Sequence, residues 1–430
     1  MKSKRKSSKA GQGTKKRRRR LKRIHPNAAG IDCGSESHYV AVPVDRDDEP
    51  VQKFRTFTTD LKQLADWLSK CEIETVAMEA TGVYWIPIFE ILEERGFEVL
   101  LVNAHHVKNV PGRKTDVVDC QWIQELHSFG LLRGSFRPSA EIAEMRSYLR
   151  HRETLIRSAG DHVRRMQKAL TQMNVQLHNV ISDVTGKTGM LILRDIAAGV
   201  TDPELLASHR DGRCRASASE IEASLTGNYR AEHVFGLRQN LEMYDAYQRQ
   251  LHDCDAEIES LFQQIASRRC EPELPIPAER CRPRTDGNAP RFEIRELLYR
   301  LTGADLTQID SIGPYTALRL VSEIGTDMSR WKTEQHFTSW LTLAPKNKVS
   351  GGRILSSKTP TLGQPRCRDA TNVRNGRRKN LDRSRRLLPT VGLSRRQGQS
   401  DHCHGPQDRR VCLPRLARRH QLQGPWPQCL

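Results

Sequence analysis

The segment "KTDVVDC", Lys114 to Cys120, places Asp116 and Asp119 three residues apart, just before "QWIQELHSFG". That spacing makes the two acids neighbours on one face of a helix. Two further acids close short apolar runs: Asp32 follows Ala28–Ile31 in "AAGIDCG", and Glu79 follows Val76–Met78 in "TVAMEATG". A charge at the exit of a central strand is costly unless it is paired or bound to a metal. Two acids at strand ends and two on a later helix can converge on two divalent cations, about 4 Å apart, that activate a nucleophile and stabilise a leaving oxygen in phosphoryl transfer. Mg2+, with Mn2+ as the alternative, suits such all-oxygen coordination. Taken singly, each acid also reads as a solvated or capping carboxylate. Their order and strand context favour a metal site, with convergence still to be seen.

The elements that must position these acids are legible around them. A short strand around Ile31, a second over "HYVAVPV" and a third over "VQKFRTF" form a hairpin-like meander. "TTDLKQLADWLSK" carries Leu61, Leu64, Ala65 and Leu68 at helical spacing, with Thr58 or Thr59 as its cap. "ETVAMEA" reads as a strand, "GVYWIPIFEILEERG" as a helix, "FEVLLVN" as a strand and "TDVVDCQWIQELHSFG" as a helix. Meander followed by helix–strand alternation indicates an α/β domain over 28–132. Residues 133–270 read as helical. Leu149, Ile156, Val163 and Leu170 recur seven apart, which predicts a long packing helix or coiled coil, and "YDAYQRQLHDCDAEIESLFQQIA" is a second long helix. The pair could run antiparallel within one chain or join two chains. Residues 271–290 are Pro-rich and polar, a linker or loop.

Charge is concentrated at the ends of the 430-residue chain, whose formal net charge is +19. Residues 1–25 hold thirteen Lys or Arg and no acid, and residues 361–430 are net +12, so residues 26–360 are net −6. Residues 1–27 are expected to be a disordered basic extension, either a nucleic-acid contact or a merely solubilising start. No run of eighteen apolar residues predicts a membrane span, and the N-terminus lacks the apolar core of a secretory signal. The eleven Cys form no CxxC pair, which argues against a zinc finger or disulfide scaffold and fits a reducing cytoplasm.

A partial C-terminal domain is expected over 291–360. "LTQIDSIGPYTALRLVSEIG" has the form helix, Gly turn, helix. Gly313, in the turn Ile312-Gly313-Pro314, would expose backbone N–H groups to a phosphate; an ordinary helical corner is the plainer reading. Arg113 and Lys114 beside Asp116 could contact a phosphate or be a solvated pair, and Lys346 and Lys348 could steer nucleic acid. Tyr84 and Trp85 read as packing residues, with base or sugar stacking as the alternative.

The set "GIDCG", "MEATGVYW" and "VNAHHVKNVPGRKTDVVDCQWIQELHSFGLL" resembles the DEDD-type insertion-sequence transposases, the group that includes the Piv-like DNA invertases. The resemblance implies an RNase H-like (RuvC-like) N-terminal domain with Asp32, Glu79, Asp116 and Asp119 as an acidic metal-binding tetrad. It also implies a mostly helical C-terminal domain opening with a helix-hairpin-helix-like motif. Within "APKNKVSGG", it places Ser350 as a candidate nucleophile, with Gly351 and Gly352 letting a DNA backbone approach. The implied activity is DNA cleavage and rejoining at a composite acid–serine site, through a phosphoserine intermediate. The implied partners are donor and target DNA, an element-encoded non-coding guide RNA, and further copies of the chain as a dimer or tetramer. The implied location is the bacterial cytoplasm, at the nucleoid. The resemblance covers about 28–359, most weakly in the helical middle. Cys33 departs from it, standing where the family often has a small apolar residue.

Beyond about residue 360 the chain is Arg-rich, Pro-containing and free of Glu, with no sustained periodicity. It reads as a shifted reading frame; a native basic tail that binds nucleic acid is the alternative. A missing helical wall would leave Ser350 poorly held, so weak activity is expected. Two other functions fit the same residues: a metal-dependent junction nuclease that does without Ser350, and an inactive nucleic-acid-binding remnant.

Overall fold

The computed structural model describes residues 22–103, 116–268, 275–278, 287–309, 312–341 and 347–357. The basic N-terminal extension up to residue 21, most of the 271–290 linker and the tail beyond residue 357 lie outside the described residues. The chain divides into two units, Met1–Arg137 and Pro138–Leu430.

The first unit is a five-stranded mixed sheet with helices. Strands β1 (Ala28–Cys33), β2 (Ser37–Ala41) and β3 (Val51–Arg55) form the antiparallel meander read from the sequence. Strands β4 (Thr75–Glu79) and β5 (Glu98–Val102) add in parallel to β1, giving the order β3-β2-β1-β4-β5. Helix α1 (Thr58–Lys70) buries Leu61, Leu64, Ala65 and Leu68 as their spacing predicts. Its N-cap is Phe57, with no side-chain cap bond, so neither Thr58 nor Thr59 caps it. Helix α2 is Trp85–Glu94, and α3 is Asp116–Ser128.

Alternation along the strands gives the sheet two faces. Ile31, Val76 and Met78 pack with Leu61, Leu64 and Leu68 of α1 and Ile88 and Leu92 of α2. Ala77 packs instead with Val102 and with Ile123 of α3. Gly30 is the contact that seats α3. A Cβ there would lie 2.3 Å from the Gln124 backbone nitrogen and 2.4 Å from the Cys120 carbonyl oxygen. Helix backbone thus lies directly on strand backbone, and the Gln124 side-chain amide adds a 3.1 Å bond to the Ala28 carbonyl. At the other end of α3, buried His127 hydrogen-bonds Thr75 of β4 (Nε2 to Oγ1, 2.9 Å) and stacks on His25.

The second unit is helical, with one small hairpin. Helices α4 (Ala140–Gln172) and α9 (Ala231–Arg268) are the two long ones. Between them lie α5 (Leu177–Val180), α6 (Lys187–Ala198), α7 (Pro203–Ala207) and α8 (Ala218–Leu225). Three contacts fix the direction of the long pair: Glu141 with Arg268, Arg152 with Asp255, and His162 with Asn240. Position falls on α9 as it rises on α4, so the pair is antiparallel within the chain. The expected seven-residue seam is only partly the buried one. Leu149 and Leu170 are buried, whereas Ile156 and Val163 are half-buried and Met145, Leu155 and Met166 line the core instead.

Arg152, 3 % exposed, also belongs to this core, an ion no apolar pattern could mark. It donates to Asp255 Oδ1 at 2.5 Å and to the Asn288 carbonyl at 2.6 Å. Helices α10 (Ile294–Thr302), α11 (Pro314–Ile324) and α12 (Glu334–Trp340) pack on the same core, and strands β6 (Lys348–Ser350) and β7 (Arg353–Ser356) form the hairpin. The helix expected at "LTQID" is only a 3-10 turn, Leu306–Gln308, because Asp305 folds back to accept bonds from the Thr307 N–H and hydroxyl.

Gly30→Val is expected to lower stability by about 1–3 kcal/mol through overpacking against α3; an unchanged denaturant midpoint contradicts that seating. Arg152→Met should cost about 3–5 kcal/mol by stranding the buried Asp255 charge, and adding Asp255→Leu should restore most of it. Equal midpoints for the single variant and the parent would show that the pair is not structurally required. Burial, and then the charge of His25, hold His127 down to about 4, against an ordinary value of 6.5. The unfolded chain therefore takes up this proton first. The His127 contribution is complete above about pH 6.5 and is lost as pH falls towards 4, by up to about 3 kcal/mol. Urea unfolding at pH 7 and 4.5 should show a smaller pH effect in His127→Gln; the same pH effect in both proteins refutes the assignment.

Candidate active site

Asp32 is the penultimate residue of β1 and Glu79 the last of β4. The parallel register pairs Ile31 with Met78, which brings Asp32 and Glu79 to adjacent positions at the carboxyl ends of the two strands. Ile31 and Met78 face α1 and α2, so the next residues, Asp32 and Glu79, face the side on which Gly30 and Ala77 meet α3. Glu79 is buried, and its carboxylate accepts a 2.7 Å bond from the Thr81 hydroxyl. Asp32 is half-buried.

Helix α3 runs antiparallel to β1 and β4. His127 lies over Thr75, Gln124 over Ala28 and Cys120 over Gly30. Counting back from His127 to Asp119 covers about 12 Å of helix. Counting forward from Thr75 to Glu79 covers about 13 Å of strand. The first turn of α3 therefore arrives at the strand ends that carry Asp32 and Glu79. Asp119, half-buried, belongs to that turn, and Asp116 is its first residue, with a side chain outside the described residues.

Two buried thiols register the negative field. Burial foremost, then Asp32 and Glu79, push the Cys33 thiol far above its usual range. Burial foremost, then Asp32, push Cys120 up to about 12, and Asp119 adds to the shift. Asp32 thus shares one neighbourhood with Glu79 through Cys33, and another with Asp119 through Cys120. Both thiols are protonated at neutral pH and make poor metal ligands. The remaining donors are carboxylate oxygens, which fit a hard divalent cation. Among the described residues, no three His, Cys, Asp or Glu side chains form a ready-made metal cluster.

After Glu79 the chain turns into α2. Tyr84 is exposed, whereas Trp85 packs edge-on against Phe89, with ring centroids 5.7 Å apart, so of the two only Trp85 is a packing residue. Arg113 and Lys114 lie outside the described residues.

Ser350 belongs to the second unit. It ends β6, is exposed, and pairs with Arg353 across the turn Gly351-Gly352. Both glycines have positive φ, +54° and +77°. That is the requirement of a two-residue hairpin of the I′ type. Nothing lies within 4 Å of a Cβ built at either glycine. The "SGG" signature therefore has a backbone reason: it presents Ser350 at the mouth of a tight turn. Lys348 begins the same strand, with its side chain outside the described residues, as is Lys346 altogether. Gly313 is the N-cap of α11 in ordinary extended geometry (φ −86°), ahead of Pro314 at the first helical position. It leaves that helix end open without being needed for its conformation.

Sequence reasoning missed the role of Gly30. A glycine inside an apolar strand, "AAGID", was the available signal of close backbone approach. It also missed Thr81 as the partner of Glu79.

Two family models match the chain. The DEDD transposase model of the IS110 type matches residues 29–175, which include Asp32, Glu79, Asp116 and Asp119. The model described as transposase, IS116/IS110/IS902 family, matches residues 303–371, which include Gly313, Lys346, Lys348 and Ser350–Gly352. The second match ends twelve residues past Thr359, where the resemblance read from the sequence stopped. No curated protein matches the chain significantly. Together the two matches span half of the chain and all of the acids and glycines described above, and the chain belongs to the IS110 family of DEDD transposases, enzymes that act on DNA.

Proposed function

We propose that the chain cuts and rejoins DNA at a composite site: the acids Asp32, Glu79, Asp116 and Asp119 of an RNase H-like domain, and the nucleophile Ser350. The observation that carries this reading is the meeting of Asp32 and Glu79, on neighbouring parallel strands, with the first turn of α3. The strand order β3-β2-β1-β4-β5, with three antiparallel strands followed by two parallel ones, supports the RNase H-like assignment.

The four carboxylates would hold two Mg2+ ions, which, when bound, neutralise charge on the scissile phosphate and its leaving oxygen. Thr81 fixes the rotamer of Glu79 by its hydrogen bond. Ser350 Oγ attacks phosphorus, forming a phosphoserine ester as one P–O bond of the strand breaks. The serine proton passes to a carboxylate, and the departing sugar oxygen takes up a proton to leave as a hydroxyl. The ester retains the phosphoryl group, so the reverse attack by a new DNA hydroxyl reseals the strand and frees Ser350. Lys346 and Lys348 draw DNA to the hairpin, Arg113 and Lys114 contact a phosphate near the acids, and the open N-terminus of α11 beside Gly313 takes another. A guide RNA encoded by the element selects sites by base pairing. The acids and the serine are drawn together in an oligomer of the chain.

The test is capture of a covalent Ser350–DNA adduct from the full chain with Mg2+, DNA partners and element RNA, in long single-turnover incubations. The adduct is expected from the parent, absent from Ser350→Ala, and reduced about 10²–10³-fold in Asp32→Asn. Unimpaired DNA cleavage by Ser350→Ala would replace this reading with a metal-dependent nuclease.

A further inference from the structure

The two long helices of the second unit are oppositely charged. Helix α4 has seven Lys or Arg against four Asp or Glu, whereas α9 has three against seven. The cations of α4 that reach solvent are not scattered. Arg150, Arg157, Arg164, Arg165 and Lys168 are all exposed. At 3.6 residues per turn they fall within an arc of about 100° and extend over about 27 Å of helix.

Arg150 is held by Glu323 at 2.8 Å, and Arg164 pairs with Asp161. The other three are uncompensated. Arg157 bonds only the Glu153 carbonyl and the Thr154 hydroxyl, and no carboxylate among the described residues pairs with Arg165 or Lys168. A run of unneutralised cations on one straight helix is unusual in a chain whose residues 26–360 are net negative.

We infer that this outer face of α4 is a docking surface for the phosphate backbone of duplex DNA, an inference that rests on the DNA-handling function proposed above. The exposed residues within the arc, Thr154 and Asp161 besides the cations, include no aromatic side chain. Surfaces that hold single strands interleave cations with aromatic rings for base stacking, whereas a row of cations alone contacts phosphates without reading sequence. The acidic α9 repels the same backbone, so the helical pair engages DNA by one helix only. The surface carries no candidate catalytic residue and would hold DNA flanking the reacting strand.

The test uses the full chain and a duplex of arbitrary sequence. Arg157→Gln, Arg165→Gln and Lys168→Gln are combined, all exposed substitutions that preserve helix propensity. Three lost phosphate contacts should lower the slope of log affinity against log salt by about 2.7, whatever the basic termini add to both proteins. A benzophenone side chain placed at Thr154 should cross-link the duplex, and one placed at Gln250 on α9 should not. An unchanged slope in the triple variant, or equal cross-linking from both helices, overturns the proposal. A slope that changes for duplex RNA but not for duplex DNA also overturns it, in favour of an RNA surface. If the parent chain itself fails to bind duplex DNA, the DNA-handling function falls with it; if the parent binds and only the slope difference is missing, the α4 surface alone is wrong.

Discussion

The arrangement of the first unit depends on one backbone-to-backbone contact. Where Gly30 passes beneath α3, there is no room for even a methyl group between strand and helix. That closeness sets the height of α3 above the sheet. The Gln124–Ala28 and His127–Thr75 bonds set its direction, and together they determine where its first turn falls. Asp116 and Asp119 come to the ends of β1 and β4 because the far end of the helix is pinned. The acids lie on separate elements, so their convergence is a property of packing, not of any local motif.

Packing of this kind has an electrostatic cost. Glu79 is buried, Asp32 and Asp119 are half-buried, and their joint field raises the thiols between them. Like charges gathered in a partly dry place destabilise a fold unless a cation or a network of donors compensates them. Thr81 supplies one donor to Glu79. A site that concentrates carboxylates while keeping its sulfur protonated is selective by chemistry: it favours hard cations and discourages thiolate-seeking ones. The second unit solves a related problem differently. There Arg152 and Asp255 neutralise each other inside the core and join the two long helices.

Much of this was legible in the residues. Strands and helices of the first unit follow period-2 and period-3.6 patterns, and the exits of β1 and β4 were marked by a carboxylate after an apolar run. What escaped is what pattern does not encode. Gly30 carries no hydrophobic signal. The seam of α4 includes Arg152 in place of an apolar residue, so a strict seven-residue count through Leu149, Ile156, Val163 and Leu170 drifts off the buried face. The direction of the α4–α9 pair is set by polar contacts over a hundred residues apart in sequence. Asp305, by bonding its own neighbours, stops a helix that propensity would have continued. In the hairpin the sequence suggested an open approach at Gly351-Gly352, and the backbone adds that both residues must take left-handed φ for Ser350 to be presented.

The central claim is that acids carried by β1, β4 and α3 form one divalent-cation site. Anomalous diffraction from crystals of the full chain soaked in Mn2+ tests it most directly. The account predicts manganese peaks at the carboxyl ends of β1 and β4, contacted by Asp32 and Glu79 from the sheet and by Asp116 and Asp119 from the first turn of α3. Manganese bound at saturating concentration only elsewhere, or bound by the sheet acids with α3 taking no part, would contradict it.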